Sequence, residues 1–337
     1  MGIKGLTKTI TKYSPSSISN ESLYKLSGKK IAVDASLIIY QQLLKSPKNK
    51  IFKNSKGMVT SHITGLFYKI MNYISLNIEL IFIFDGKPPE NKQDCINLRK
   101  ERSKKAHEQS LTTTCDQEKN KLEKLSLRIT KEMIDDVKNL LTLMGVSYIH
   151  PQSGEAEAYA SELCRMGYVH YVLTEDMDTM AYQCPKLIRN CIDKDLKRKG
   201  DIISIFDYNQ LISDIDLTHD QFLEFCILCG CDYCPVVPKI GNVTALRLIK
   251  QYKNIETIIE NTKSKYNYPE DYIQLFKNAK YNFKIFKNNI DTNSINIIHS
   301  KKNIEGLINY LVKDVEMNEK RVQNSIKKFH NNYSNGK

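Results

Sequence analysis

Acidic residues recur in this sequence where an apolar run gives way to a loop. Asp34 ends the run Lys30-Ile-Ala-Val-Asp34, and Asp85 ends Glu79-Leu-Ile-Phe-Ile-Phe-Asp85. Asp176 and Asp178 follow His170-Tyr-Val-Leu-Thr174. Glu155 and Glu157 stand at the start of an amphipathic segment that follows another apolar run. One aspartate after a strand usually caps the next helix. Three such positions, with two pairs spaced by one residue, exceed what capping needs. Crowded carboxylates raise one another's pKa unless a cation lies among them. All-oxygen sites suit Mg²⁺ or Mn²⁺. Two such ions about 4 Å apart activate water and stabilise a leaving oxygen in phosphodiester hydrolysis.

The elements that must position these acids are legible as patterns. The runs 30–34, 79–85 and 170–174 are rich in β-branched and aromatic residues and predict buried strands. Val146–Ile149 predicts a fourth strand and Lys186–Arg189 a fifth. Between them, Thr60–Leu76 places Ile63, Phe67, Ile70 and Ile74 at helical spacing. Thr130–Met144 repeats the pattern before Gly145, a plausible stop. Ser153 is the expected cap of a helix from Glu155 to Met166. Strands alternating with helices predict an α/β fold with a mainly parallel sheet flanked by helices. In open sheets of this kind, ligands bind beyond the carboxyl ends of the strands, where Asp34, Asp85, Asp176 and Asp178 fall. From Asp216 onward the pattern is helical (Asp220–Leu228, Val243–Tyr252, Ile304–Val312), apart from a weak strand signal over Ser294–His299. Residues 86–130 carry eleven Lys/Arg against seven Asp/Glu and few large apolar residues. They predict a solvated helical pair or a partly disordered excursion.

Composition narrows the class. The 337 residues are 41% hydrophobic, enough for a sizeable core. No stretch approaches the ~18 apolar residues of a membrane span. The opening MGIKGLTKTI lacks the apolar run of a secretory signal, and Leu6 sits where a myristoylation motif wants Ser or Thr. A soluble intracellular protein is expected. The net charge of +12 favours polyanionic partners, although a Lys-, Asn- and Ile-rich coding bias produces the same excess. Nine cysteines without a signal imply reduced thiols. Cys226, Cys229, Cys231 and Cys234 offer four thiolates that zinc could take. The first two lie in the apolar run FLEFCILC, and a single residue separates the pairs, which favours cysteine as a small core residue.

Six ordered motifs carry a resemblance. They are MGIKGL; Val33-Asp34-Ala35-Ser36; Phe84-Asp85-Gly86-Lys87-Pro88-Pro89; Gly154-Glu155-Ala156-Glu157-Ala158; Thr174-Glu175-Asp176-Met177-Asp178; and Gly230-Cys231-Asp232-Tyr233. Together they resemble the flap endonucleases, of the XPG-like structure-specific 5′ nucleases. The likeness runs from residue 1 to about 260 and more weakly to about 330. The FDGKPP form is closer to flap endonucleases than to the related exonuclease and Holliday-junction resolvase branches. The short 90–150 interval argues against the excision-repair branch.

The resemblance implies a PIN-like or resolvase-like nuclease core with a helical arch and a C-terminal helix-two-turn-helix region. It implies an N-terminal nuclease region at 1–105, with a helical gateway or cap at 86–130. An internal nuclease region follows at 122–260, with the helix-two-turn-helix at about 218–250, and then a C-terminal helical extension at 261–337. By position, Asp34, Asp85, Glu155 and Glu157 resemble ligands of a first Mg²⁺, and Asp176, Asp178 and Asp232 those of a second, with Mn²⁺ able to substitute. Asp232 enters only through this resemblance. Lys92 and Arg99, seven apart on one expected helix face, resemble the catalytic pair that contacts the scissile phosphate. Without the resemblance they would pass for a solvated basic face. Tyr40 resembles a residue that stacks on a terminal base, with a core tyrosine as the alternative. Gly2 resembles the small N-terminal residue near the DNA junction, and Glu155, Lys239 and Gly241 complete the expected DNA contacts.

The implied activity is 5′-flap endonuclease and 5′–3′ exonuclease cleavage in DNA replication, including Okazaki-fragment processing, and in repair. The implied partner is flapped or nicked DNA, the state a monomer and the compartment the nucleus, with a viral or organellar setting as the alternative. Two departures stand out. The usual Gly-Ile-Gly turn followed by basic residues is here Lys239-Ile240-Gly241-Asn242-Val243-Thr244. The final KKFHNNYSNGK carries no glutamine-to-paired-aromatic motif, so docking on a sliding clamp is not expected. The competing expectations are a catalytically weak DNA-binding member of the fold, a zinc-dependent interaction module, and a single-strand ribonuclease of the PIN fold.

Overall fold

The computed structural model describes residues 2–45, 52–193, 195–196, 200–289 and 296–334. Its strands are β1 (Ile18–Ser22), β2 (Lys30–Asp34), β3 (Glu79–Ile83), β4 (Ser147–Ile149), β5 (Tyr171–Leu173), β6 (Lys186–Asn190) and β7 (Ile202–Asp207). The helices α1 (Leu6–Tyr13), α2 (Ala35–Leu44), α3 (Ser61–Ser75), α4 (Gln93–Thr112), α5 (Asp116–Ser126), α6 (Lys131–Met144) and α7 (Ala156–Arg165) occupy the first half. The second half holds α8 (Asp178–Ala181), α9 (Tyr208–Ile215), α10 (His219–Cys229), α11 (Asn242–Tyr252), α12 (Ile255–Thr262), α13 (Tyr272–Asn289), α14 (Ile304–Asn309) and α15 (Glu319–Ser334). The chain divides into two compact units, each assembled from three separate stretches.

One unit comprises residues 1–25, 85–95 and 152–295. In it β5 and β6 run parallel, while β7 is antiparallel to β6 and β1 antiparallel to β7. The parallel expectation therefore holds for β5–β6 and gives way to a mixed edge. Its core gathers Phe206, Phe222, Phe225 and Phe276 with the apolar faces of α1, α9, α10 and α11. Thr218 and Gln221 form a reciprocal capping box at the start of α10.

The other unit comprises residues 26–84, 96–151 and 296–337. Here β2, β3 and β4 are wholly parallel, with Asp34 opposite Ile83. Both flanking runs are buried, as expected of strands covered on two faces. Helix α3 packs on α2, α6 and α15. Thr130 caps α6 through the Met133 N–H, and Gly145 ends it at φ 70°, a conformation glycine adopts without penalty. The basic stretch forms the helical pair α4 and α5, joined where Ser103 Oγ donates to the Ser126 carbonyl at 2.8 Å. Residues 294 and 295 of the weak C-terminal strand signal lie outside the described residues. Ile298 makes a single antiparallel bridge to Tyr148.

Candidate active site

The FDGKPP and GEAEA motifs are laced together by their backbones. The Gly86 N–H donates to the Gly154 carbonyl at 2.9 Å, Lys87 N–H to Gln152 at 3.0 Å, and Gly154 N–H to Lys87 at 3.0 Å. Gly154 reaches this ladder at φ 96°, a value that side chains resist. Just beyond it α7 begins. Ser153 was the expected cap, but Glu155 occupies the N-cap position and its own side chain makes no cap bond. Asp85 supplies it instead: the Ala156 N–H donates to Asp85 Oδ1 at 3.0 Å. That contact leaves the Glu155 carboxylate free to face other groups.

Those groups are polar and buried. Tyr233 donates its hydroxyl to Glu155 Oε2, and the Tyr182 hydroxyl lies 3.4 Å from the same oxygen and 3.0 Å from Tyr233. On its other oxygen Glu155 accepts from the Lys92 ammonium, which also stands 3.4 Å from Asp232 Oδ2. Cys95 Sγ donates to Asp232 Oδ1 at 3.5 Å. Lys92 sits in a one-turn helix, Glu90–Lys92, just before α4, with only 16% of its side chain exposed. Burial works against its charge, but Glu155, Glu157 and Asp232 outweigh it and raise its pKa.

Asp176 and Asp178 are set by a tight local network. The Asp176 N–H donates to Thr174 Oγ1 at 3.1 Å, and the Asp178 N–H donates to Asp176 Oδ1 at 3.1 Å. Neighbouring Glu175 turns away to pair with Arg189 at 3.1 Å and to accept from the Asn190 N–H. Desolvation raises the pKa of Asp176. Desolvation, then Asp176, Asp232 and Glu155, push that of Asp178 well up. Asp178 Oδ1 is buried with no hydrogen-bond partner. Gly2, at φ 80°, abuts this pair: a Cβ there would lie 1.9 Å from Asp176 Oδ1.

The structure thus brings Gly2, Asp85, Lys92, Glu155, Asp176, Asp178 and Asp232 into one unit, with Glu157 in the first turn of α7. The arrangement fits a divalent cation, because a buried, orphaned carboxylate oxygen among mutually repelling acids is what an ion would satisfy. Among the described residues no three His, Cys, Asp or Glu side chains yet converge on one point. The Lys92 ammonium stands between Glu155 and Asp232 and supplies countercharge there.

Asp34, Tyr40 and Arg99 belong to the other unit. There Asp34 ends β2, buried, and its Oδ1 caps α2 by accepting from the Leu37 N–H at 3.0 Å. Tyr40 is half-buried on α2, and Arg99 is exposed on α4. In the helix-two-turn-helix segment, Lys239 is exposed at φ 67°, and Gly241 is the N-cap of α11 at φ −101°. Cys226, Cys229 and Cys234 are core residues whose thiols burial pushes up, away from the thiolate form that zinc needs. Tyr182, Cys95 and the Glu175–Arg189 pair escaped sequence reasoning. Only Tyr233 carried a signal, inside the GCDY motif.

The model of the XPG N-terminal domain matches residues 1–106, and that of the XPG I-region matches residues 145–232. Flap endonuclease 1-A of Sorghum bicolor is 37% identical over 98% of this chain and 86% of its own length. Among solved structures, the flap endonuclease-1 of Methanococcus jannaschii is similar at TM-score 0.69 and 26% identity, covering 95% of this chain and 97% of that one. The catalytic core of Rad2 in complex with DNA substrate shares the fold at TM-score 0.71 and 20% identity, over 97% of this chain and all of that one (100%).

Proposed function

The chain belongs to the XPG family of nucleases, in its flap endonuclease branch, and from that footing we infer that it is a structure-specific nuclease acting on 5′-flapped DNA in replication and repair. The observation that carries the reading is the set of buried Glu155, Asp176 and Asp178 and half-buried Asp232 around the Lys92 ammonium. Such a site binds cations and, with them, a phosphodiester.

Mg²⁺ is the cofactor this donor set suits, with Mn²⁺ as a substitute. Asp85, Glu155 and Glu157 would hold one ion, joined by Asp34 on the strength of its motif alone. Asp176, Asp178 and Asp232 would hold the other. Bound there, the ions would supply an activated water and neutralise the leaving oxygen. The chain's own residues do the rest. Tyr233 and Tyr182 fix the Glu155 carboxylate by holding one of its oxygens. Lys92 carries a permanent positive charge in a desolvated place, where it can hold the scissile phosphate and offset the charge that develops on it. Arg99, on α4, is assigned to the scissile phosphate on the strength of its motif position alone. Lys239 and the free N–H groups at the start of α11 are assigned to duplex phosphates, Tyr40 to a terminal base, and Gly2 to the junction. We place the protein in the nucleus.

The test is cleavage of a labelled 5′-flap duplex by the wild-type chain and by Asp178→Ala. Wild type should cut near the single-strand/double-strand junction with Mg²⁺ and leave a 5′-phosphate, and the variant should not. Equal cleavage by both, or none by wild type with either ion, would sink the assignment.

A further inference from the structure

Two cysteines that the hydrolytic site does not use lie on neighbouring segments of the unit that contains it. Cys164 stands in the last turn of α7, and Cys184 precedes β6 by two residues. The sheet sets their spacing. Parallel pairing puts Val172 opposite Leu187, so the chain entering β5 at His170 is level with the chain entering β6 at Pro185. The Cys164 thiol donates to the His170 carbonyl at 3.6 Å, and the Cys184 thiol donates to the Lys186 carbonyl at 3.6 Å. A second set of contacts gives the same placement. Ser161 Oγ and the Cys184 N–H both donate to the Thr179 carbonyl, at 3.5 and 3.2 Å. Ser161 lies one turn before Cys164 on the same face of α7. Cys184 is fully buried, Cys164 keeps 6% of its surface exposed, and both are reduced.

We propose that Cys164 and Cys184 form a reversible disulfide when the protein meets a hydroperoxide, stapling the end of α7 to the segment that follows α8. The first step needs access only to Cys164. Its thiolate attacks the peroxide oxygen, the O–O bond breaks, and a sulfenic acid forms while the leaving hydroxide takes a proton to become water. The Cys184 sulfur, giving up its proton, then attacks the sulfenic sulfur and expels a second water. Two thiols lose two electrons in all, and one hydrogen peroxide becomes two waters. The second step is intramolecular, so the burial of Cys184 does not oppose it. The neighbouring Cys184 and Lys186 outweigh burial and lower the pKa of Cys164, which favours it as the attacking sulfur. The staple joins the end of α7, whose start carries Glu155 and Glu157, to the segment that follows α8, whose first residue is Asp178.

The full-length chain, treated with graded hydrogen peroxide and digested without reductant, should yield a Cys164 peptide linked to a Cys184 peptide. The link should appear at doses that also oxidise the exposed Cys115, disappear with dithiothreitol, and raise the melting midpoint by several degrees. In Cys184→Ala the link should be absent, and a dimedone adduct should accumulate on Cys164. Oxidation of Cys115 while Cys164 and Cys184 stay free thiols would overturn the proposal, as would pairing of Cys164 with any other cysteine. The wild-type mapping decides the matter even if the variant folds poorly, and flap cleavage by the reduced chain bears on it in neither direction.

Discussion

Asp85 caps the helix that Glu155 begins, through the Ala156 N–H at 3.0 Å, so one carboxylate holds another in place. Two roles of Asp85 can therefore be separated. Asp85→Asn keeps an oxygen for the N–H but loses the charge. It should keep its stability to within about 0.5 kcal/mol and lose flap cleavage. Asp85→Ala loses the cap as well and should be destabilised by about 1 kcal/mol. Urea denaturation of both variants, beside the cleavage assay, checks the separation. Equal stability of the two would deny Asp85 its capping role.

Lys92 offers a second prediction. In Lys92→Met the carboxylates of Glu155 and Asp232 lose their buried partner. Without divalent ions this should cost about 3 kcal/mol of stability. Adding Mg²⁺ should shrink the deficit, because the ion supplies the missing charge. Melting curves in EDTA and in Mg²⁺ make the comparison. A deficit of the same size in both buffers would mean that ion and ammonium do not share the acids.

His62 predicts a pH dependence remote from the chemistry. Its ring is fully buried, neither nitrogen has a hydrogen-bond partner, and burial lowers its pKa from 6.5 to about 4. Asp136 is 3.9 Å away, but with the ring neutral this is not an ion pair. Between those two pKa values the unfolded chain binds the proton and the folded chain does not. Stability therefore falls as pH drops from about 6.5 toward 4, by about 2 kcal/mol between pH 7 and pH 5. Asp136 shifts upward and acts in the opposite sense, so the measurement is the difference between wild type and His62→Met. A difference that stays flat with pH would contradict the buried, neutral ring.

Lys239 holds a left-handed conformation that glycine adopts freely. Lys239→Gly should therefore gain up to about 1 kcal/mol of stability. If the side chain meets a duplex phosphate, the same change should lower the salt slope of duplex binding by about 1. Denaturation and salt-titrated binding address the two halves independently. Reduced stability with an unchanged slope would speak against both.

Legibility in the sequence followed physical cause. Asp34, Asp85, Asp176 and Asp178 punctuate apolar strands, and strand ends in an α/β sheet face the ligand side, so pattern alone picked them out. Glu155, Glu157 and Asp232 were legible only as members of motifs, since a helix start and a cysteine-rich loop have many ordinary reasons to be acidic. Strand β1, Ile18-Ser-Asn-Glu-Ser22, has too few apolar residues to show a period, and its partner β7 follows a basic stretch. Tyr182 gave no sign, because its role comes from a contact with Tyr233 that only folding creates. Lys92 sits in a segment whose composition reads as solvated, yet its ammonium is buried by distant acids.

The pairing of β1 with β7 sets Ile18 opposite Phe206. During synthesis the first strand must therefore wait, unpaired, until most of the chain has left the ribosome. Neither unit is contiguous, so each must wait for its last stretch, residues 152–295 in one and 296–337 in the other, before it can be completed. Long-range pairings of this kind fold slowly and expose strand edges in the interval. The mostly polar β1, with serine, asparagine and glutamate where an apolar edge would invite aggregation, is suited to that wait.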